Sequence, residues 1–213
     1  MLIEVEALEH RFTDTGDPVI RSFSHRFEPG TLTAVTGPSG SGKSTLMYIL
    51  ALMLTPSGGR TLWDGDDVQA LPDNIRSRLR AQYVGFVFQD ALLDPSQTAL
   101  DNVLEAGWLA GMRADVSRSR ARMLLDRFGV AERADHLPGQ VSGGQAQRIA
   151  LCRALVKTPT IVFADEPTGN LDSDSARIVW TALADAAQEG ATVVVATHDR
   201  ARATDLPHRL ELA

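Results

Sequence analysis

The eight residues Gly37 to Ser44, GPSGSGKS, have the glycine spacing that lets a backbone curl around a phosphate. They run on from the apolar TLTAV and lead into KSTLMYILAL, so G-x-x-x-x-G-K-S lies between an expected strand and an expected helix. In that setting Gly37, Pro38, Ser39, Gly40, Ser41 and Gly42 turn successive N–H groups toward a β-phosphate. The helix beginning near Lys43 adds the positive end of its dipole, about half a charge. Lys43 would reach the β- and γ-phosphates, and Ser44 would ligate Mg²⁺. Of 21 basic residues only Lys43 and Lys157 are lysine, the rest being arginine. A chain with that preference has put a slender point charge, not a planar fork, into its glycine loop, and phosphate chemistry gives a reason.

Three further stretches fit the same chemistry. IVFADE is an apolar strand ending in Asp165, placed to hold Mg²⁺, and Glu166, placed to polarise an attacking water. FVFQ ends in Gln89 and ATVVVATH in His198. Ligands collect at the carboxyl ends of strands in a parallel sheet, so both side chains are expected to face the γ-phosphate with the glycine loop. VSGGQAQR is the unexpected one: Ser142, Gly143 and Gly144 stand before a helix, a second anion site about a hundred residues after the first. One set of catalytic residues with two phosphate sites needs an explanation.

The elements that must position these groups can be read from periodicity. LIEVEAL and RSFSHRF alternate as strands, TGDP is a turn, and RTLWDGDDV is a hairpin turning at Asp64-Gly65. TPSGG ends the helix after the glycine loop, and QYVGFVFQ is the next strand. ALDNVLEAGWLAGM and DVSRSRARMLLDRFGV are amphipathic helices, followed by a helix from about Gln145 to Val156. Then come the strand TIVFAD, the helix DSARIVWTALADAAQ, the strand ATVVVAT and a last short strand in HRLELA. Alternating strands and helices imply an α/β fold with a parallel sheet, and residues 92–157 read as an inserted helical lobe.

Bulk properties narrow the function. At 213 residues with 44% hydrophobic and 23% charged residues, the chain has an ordinary globular composition. No apolar run approaches the roughly 18 residues of a membrane span, and MLIEVEALEH is no signal peptide, so a cytoplasmic chain is expected, one able to sit on a membrane protein. The net charge of −6 argues against a broad nucleic-acid surface. Arginines 113, 118, 120, 122 and 127 form the most basic stretch, but with no aromatic residues interleaved they read as the solvated face of helices. Cys152, the single cysteine, reads as a buried thiol in an apolar pattern. His10, His25, His136 and His208 are assigned to surface or packing.

Taken in order, GPSGSGKSTL, FVFQ, VSGGQAQR, IVFADEPTGNLD and ATHD resemble the nucleotide-binding domain of an ATP-binding cassette (ABC) transporter over essentially the whole chain. PTGNLD is similar to the ATPase subunits of the lipoprotein-releasing, macrolide-exporting and cell-division ABC systems. The resemblance implies a P-loop NTPase fold: a RecA-like mixed sheet core with an antiparallel β subdomain and an α-helical signature lobe. The core would span about 1–91 and 158–213, within one domain of 1–213. It implies ATP and Mg²⁺ as ligands, a second nucleotide-binding domain as partner, most simply a homodimer, and an integral-membrane permease that holds the chain at the inner face of the cell membrane. Two such domains pack head to tail, so Ser142, Gly143, Gly144 and Gln145 would serve ATP held by the other copy. That would answer the two-site question.

The family roles transfer by position. Glu166 resembles the general base, and His198 the residue coupling it to the γ-phosphate. Lys43 and Gln89 belong to the catalytic set, and Ser44, Gln89 and Asp165 match the Mg²⁺ contacts. Thr45 extends the ATP contacts of the loop, Phe12 falls where an aromatic stacks on adenine with Val19 beside it, and Asp172 matches the acid that crosses the interface. Leu92 and Leu93, in ALLDPSQTALDN after Gln89, are expected to form the floor of the groove that receives a permease helix. Val141 stands where leucine is usual, Phe12 lacks the common hydroxyl, and after His198 the chain reads as one short strand where the family has a longer segment. A soluble ABC-type ATPase acting on DNA or ribosomes is the alternative. Against it, no sustained heptads separate the two motifs, one cysteine cannot supply a cysteine zinc site, and there is one cassette. A small-molecule kinase or GTPase leaves VSGGQ unexplained, and N-K-x-D is absent.

Overall fold

The computed structural model describes residues 1–13, 16–199, 203–204 and 206–212. Its strands divide by direction. β1 (Ile3–His10), β2 (Ile20–Phe27), β4 (Gly58–Trp63) and β5 (Asp66–Asp67) form an antiparallel sheet in the order β2-β1-β4-β5. β3 (Leu32–Thr36), β6 (Val84–Val87), β7 (Ile161–Asp165), β8 (Thr192–Ala196) and β9 (His208–Glu211) form a parallel sheet in the order β6-β7-β8-β3-β9. The hairpin expected at Asp64-Gly65 joins β4 to β5, and both turn residues have positive φ, 48° and 91°, as a tight hairpin of native twist requires.

Burial on both faces explains why β6, β7 and β8 read as unbroken apolar runs, while the edge strand β9 is polar and mostly exposed. Side chains alternate across the sheet. Val162, Ala164, Val193 and Val195 join one apolar cluster with α5 (Gly143–Leu155) and α6 (Ser173–Gln188). Ile161, Phe163, Val194 and Ala196 join a second cluster with α1 (Lys43–Leu50) and the antiparallel sheet. α3 (Ala99–Leu109) and α4 (Ala114–Arg127) pack outside α5, adding Leu104, Leu124 and Leu125 to the first cluster. Among the described residues, 92–157 hold α3, α4, α5 and two short 3₁₀ turns and no strand. No helix among the described residues is long and apolar enough to cross a membrane.

The structure adds one element and shifts several boundaries: β6 ends at Val87 and not Gln89, α3 at Leu109 and not Met112, and α4 at Arg127 and not Val130. Residues Asp73–Tyr83 form α2, and the strand expected from Gln82 begins at Val84. α2 escapes a periodicity reading because Ile75, Leu79 and Tyr83 make only a thin stripe and none of its residues is fully buried. α5 begins at Gly143, two residues before Gln145, because Ser142 caps it: the hydroxyl accepts from Gln145 N–H, and Gln145 Oε1 accepts from Ser142 N–H. In the basic stretch Arg113 pairs with Asp115 and Arg127 with Asp185, while Arg118 and Arg122 are exposed. Cys152 is fully buried, and burial pushes its thiol pKa upward.

Candidate active site

Four adjacent strands of the parallel sheet end at one edge. In spatial order they deliver Gln89 after β6, Asp165 and Glu166 at β7, His198 after β8, and the glycine loop after β3. The strand registers align these ends, with Val87 opposite Ala164, Asp165 opposite Ala196, and Val35 opposite Ala196. A cavity of about 530 Å³ opens there. It is lined by Phe12, Val19, Ser39, Gly40, Gly42, Lys43, Ser44, Thr45, Gln89, Asp165, Glu166 and His198, so residues far apart in the chain converge as the motif reading expected.

The loop itself is held by its own charges. Lys43 is buried at the start of α1, and its Nζ donates to the carbonyls of Gly37 and Pro38, both at 2.9 Å. Gly42 has φ 89°, and a Cβ there would lie 3.0 Å from the Val19 carbonyl, so glycine is what lets Val19 settle against the loop. Val19 N–H donates to His10 O at 2.8 Å and closes the segment that carries Phe12. Phe12 is 68% exposed, and its ring meets that of His10 edge to face at 4.8 Å, leaving aromatic surface open to the cavity.

The carboxylates differ in their surroundings. Asp165 is 5% exposed, and its Oδ1 is buried without a hydrogen-bond partner. Burial raises its pKa, and the neighbouring Glu166 charge adds to that, against Ser44, Lys43 and Tyr48, which favour the ionised form. Glu166 Oε2 lies 2.8 Å from His198 Nδ1 and accepts from His198 N–H at 3.2 Å. Its backbone sits at φ 45°, in the left-handed region that few non-glycine residues adopt, and is pinned by a bond from its N–H to Ala196 O at 2.9 Å.

Ser142, Gly143, Gly144, Gln145 and Asp172 do not line this cavity. Ser142 and Gly143 are exposed at the N-terminus of α5. Asp172 caps α6, accepting from Ser175 N–H at 2.8 Å and from its hydroxyl at 3.0 Å, and these bonds hold its pKa down. The two glycines differ: a Cβ on Gly143 would meet nothing within 4 Å, whereas one on Gly144 would lie 2.9 Å from Ser175 Oγ. α5 and α6 thus start side by side, with Ser142, Gly143 and Asp172 exposed and outside the cavity that Lys43 lines.

Two positions outside the expected site bond to the segment that carries Gln89. Gln147, buried on α5, donates to the carbonyl of Phe88, the residue before Gln89, at 2.7 Å. Arg153 donates to the carbonyls of Ala91 and Leu92 just after it. A polar residue at an inward helix position is a weak sequence signal, since its partner is set by tertiary packing. Leu92 is 60% exposed, but Leu93, expected to be exposed beside it, packs against the first apolar cluster. Leu92 turns the chain at φ 46°, so the two side chains part, and of the pair Leu92 is the exposed one.

Residues 20–169 match the ABC transporter family. The chain is 44% identical over 182 residues to the lipoprotein-releasing system ATP-binding protein LolD of Hyphomonas neptunium, covering 85% of this chain and 80% of that protein. It is 42% identical over 200 residues to the macrolide export ATP-binding/permease protein MacB of Marinobacter nauticus, covering 93% of this chain but 31% of MacB. Among solved structures, the dimeric bacterial ABC transporter cassette MJ0796 superposes with a TM-score of 0.91 at 33% identity, covering 99% of this chain and 94% of the cassette. A post-hydrolysis dimer of that cassette, bound to ADP and Pi, superposes with the same TM-score at 32% identity and the same coverage.

Proposed function

The chain belongs to the ABC transporter family and is an ATP-binding, ATP-hydrolysing subunit of such a transporter; from that premise we propose how its residues divide the reaction between two copies. The observation that carries the proposal is the separation of the two phosphate sites. The glycine loop opens into the cavity with Glu166, while Ser142–Gln145 lie outside it, with Ser142 and Gly143 exposed. A second copy packed head to tail brings its signature residues over this chain's nucleotide. The relative MJ0796 is described as dimeric, which supports that arrangement.

Within one composite site, Phe12 stacks on the adenine with Val19 beside it, and Gly37 to Thr45 hold the phosphates. Lys43 balances charge on the β- and γ-phosphates. Glu166 accepts a proton from water as the water oxygen bonds to the γ-phosphorus and the bond to ADP breaks. His198 orients Glu166 through Nδ1, which leaves Nε2 as the ring atom available to the γ-phosphate. Ser142, Gly143, Gly144 and Gln145 of the other copy add hydrogen bonds and the dipole of their helix, and Asp172 approaches the opposing glycine loop.

Asp165, Ser44 and Gln89 would hold Mg²⁺. The fit rests on the buried, unpartnered Oδ1 of Asp165 beside the Ser44 hydroxyl. Among the described residues no three acidic, histidine or cysteine side chains are placed to hold a metal ion together, and Mg²⁺ commonly takes most of its ligands from water and phosphate. When bound, Mg²⁺ supplies neutralisation of charge on the β- and γ-oxygens.

In this reading residues 1–91 and 158–213 serve as the ATPase core and 92–157 as the lobe that carries the signature. The two copies are identical chains, and their closure on ATP drives an integral-membrane permease at the cytoplasmic face of the membrane. The names of the LolD and MacB relatives, one from a lipoprotein-releasing system and one an ATP-binding/permease protein, support that partner class. Size exclusion tests the dimer. Glu166→Gln, whose amide cannot take up the proton, should elute as a dimer with ATP and Mg²⁺ and as a monomer without nucleotide. Elution as a monomer in both conditions would contradict the composite site.

A further inference from the structure

Beyond its capping pair, α5 sends its polar side chains to the carbonyls of other segments. Arg148 Nη1 donates to Phe128 O at 3.0 Å, tying α5 to the end of α4. Gln147, 3% exposed, donates from Nε2 to Phe88 O at 2.7 Å. Arg153 donates from Nη1 to Leu92 O at 2.6 Å and from Nη2 to Ala91 O at 2.8 Å. Three bonds thus fall on the five consecutive residues from Phe88 to Leu92, and Gln89 is the second of the five. The buried Gln147 amide would be left unpaired at considerable cost if it lost its acceptor, and the half-buried Arg153 guanidinium holds two carbonyls at once, so both side chains favour keeping this segment on α5.

Two further features point the same way. Leu92 is held at φ 46°, a left-handed conformation that a branched residue keeps only where its surroundings over-determine it, and its carbonyl is an acceptor of Arg153. A small cavity of about 130 Å³, lined by Gln89, Gly143 and Gln147 among others, joins Gln89 directly to the first turn of α5. Downstream of β6 the segment is therefore fastened to the signature helix, and not strung loosely between helices and sheet.

We propose that Gln147 and Arg153 are positioning residues for hydrolysis, which make Phe88–Leu92 part of the body of α5, so that the signature motif and Gln89 of one chain move together. A partner's nucleotide closing on Ser142–Gln145 then sets the position of Gln89 in this chain's own site, and the two sites of a dimer communicate through one helix. The inference rests on the reading of Gln89 as a residue acting on metal and water.

A double-mutant cycle in kcat on the full chain tests it, with Arg153→Met, Gln89→Ala and the double variant, alongside nucleotide Kd and circular dichroism. Arg153→Met should lower kcat about tenfold, as a displaced reacting group does, with Kd for ATP within about twofold of wild type. In the Gln89→Ala background it should cost nothing further, because a residue acting only through Gln89 has nothing left to position. Arg153→Lys, which keeps the charge and one bond, should lose less, again without additivity, and it carries the test should Arg153→Met not fold. Wild-type kcat in Arg153→Met, or losses that multiply in the double variant, would overturn the proposal. Wild-type turnover by Gln89→Ala alone would remove the Gln89 reading and this inference with it, so the two failures are told apart.

Discussion

Glu166 holds its carboxylate against His198 from a backbone at φ 45°. The left-handed conformation costs a non-glycine residue roughly 1–2 kcal/mol, which the folded chain carries to aim that one side chain. Glu166→Gln and Glu166→Gly should both abolish turnover, but only glycine relieves the backbone. Urea unfolding should therefore find Glu166→Gly more stable than Glu166→Gln by roughly 0.5–1 kcal/mol, after allowing for the extra freedom of glycine in the unfolded chain. A less stable glycine variant would mean that the conformation is not strained. At this scale the sequence was informative wherever a residue ends an apolar strand: Gln89, Asp165, Glu166 and His198 had to appear at one edge once the strands were parallel. The strain at Glu166 was not legible, because φ is set by how β7 leaves the sheet and not by residue type. Gln147 and Arg153 were hidden for a related reason: nothing in their spacing says that their partners are backbone carbonyls sixty residues away.

The helices carry two predictions of their own. On α5 the adjacent glycines have separate duties, since Gly143 faces open space and Gly144 faces Ser175 on α6. Gly144→Ala should shift α5 against α6 and lower the thermal midpoint by several degrees, the effect of about 1 kcal/mol of overpacking in a domain of this size. Gly143→Ala should leave the midpoint unchanged and reduce ATP-driven dimerisation; equal midpoints for the two variants would dissolve the distinction. Lys157 supplies the second, its Nζ donating to the carbonyls of Arg80 and Ala81 in the last turn of α2, at 3.0 and 2.6 Å. Burial pushes its pKa down from 10.5 to about 8. Above pH 8 the folded chain has released a proton that the unfolded chain keeps until about 10.5, so this group makes stability rise with pH across that window, and below pH 8 the folded state bears the full cost of the buried charge. Between pH 7.5 and 9.5 wild type should gain about 1–2 kcal/mol relative to Lys157→Met in urea unfolding. Parallel pH dependence in the two proteins would refute it. α2 itself shows where periodicity fails, because a helix lying half-exposed beside a sheet needs only a thin apolar stripe.

Across the whole molecule, strand direction separates binding surfaces. The parallel sheet gathers Gln89, Asp165, Glu166, His198 and the glycine loop at one end, while the starts of α5 and α6 place Ser142–Gln145 and Asp172 outside that cavity. The order of elements and the class of fold were readable from alternating strand and helix patterns, whereas the separate antiparallel sheet came from the family resemblance, since its β1–β4 pairing joins strands far apart in the chain. The packing of Leu93 into the helical cluster was not readable, since the direction of a side chain in a loop depends on what the loop lies against. The central claim is that one chain supplies half of each of two sites, and complementation tests it most directly. Lys43→Ala lacks a working phosphate loop, Ser142→Arg lacks a working signature, and each alone should hydrolyse ATP at background rate. Mixed in equal amounts with ATP and Mg²⁺, they should recover about a quarter of wild-type turnover, because half the dimers are mixed and each mixed dimer has one intact site, if the two sites act independently. A mixture no more active than the sum of its two components would contradict the composite site.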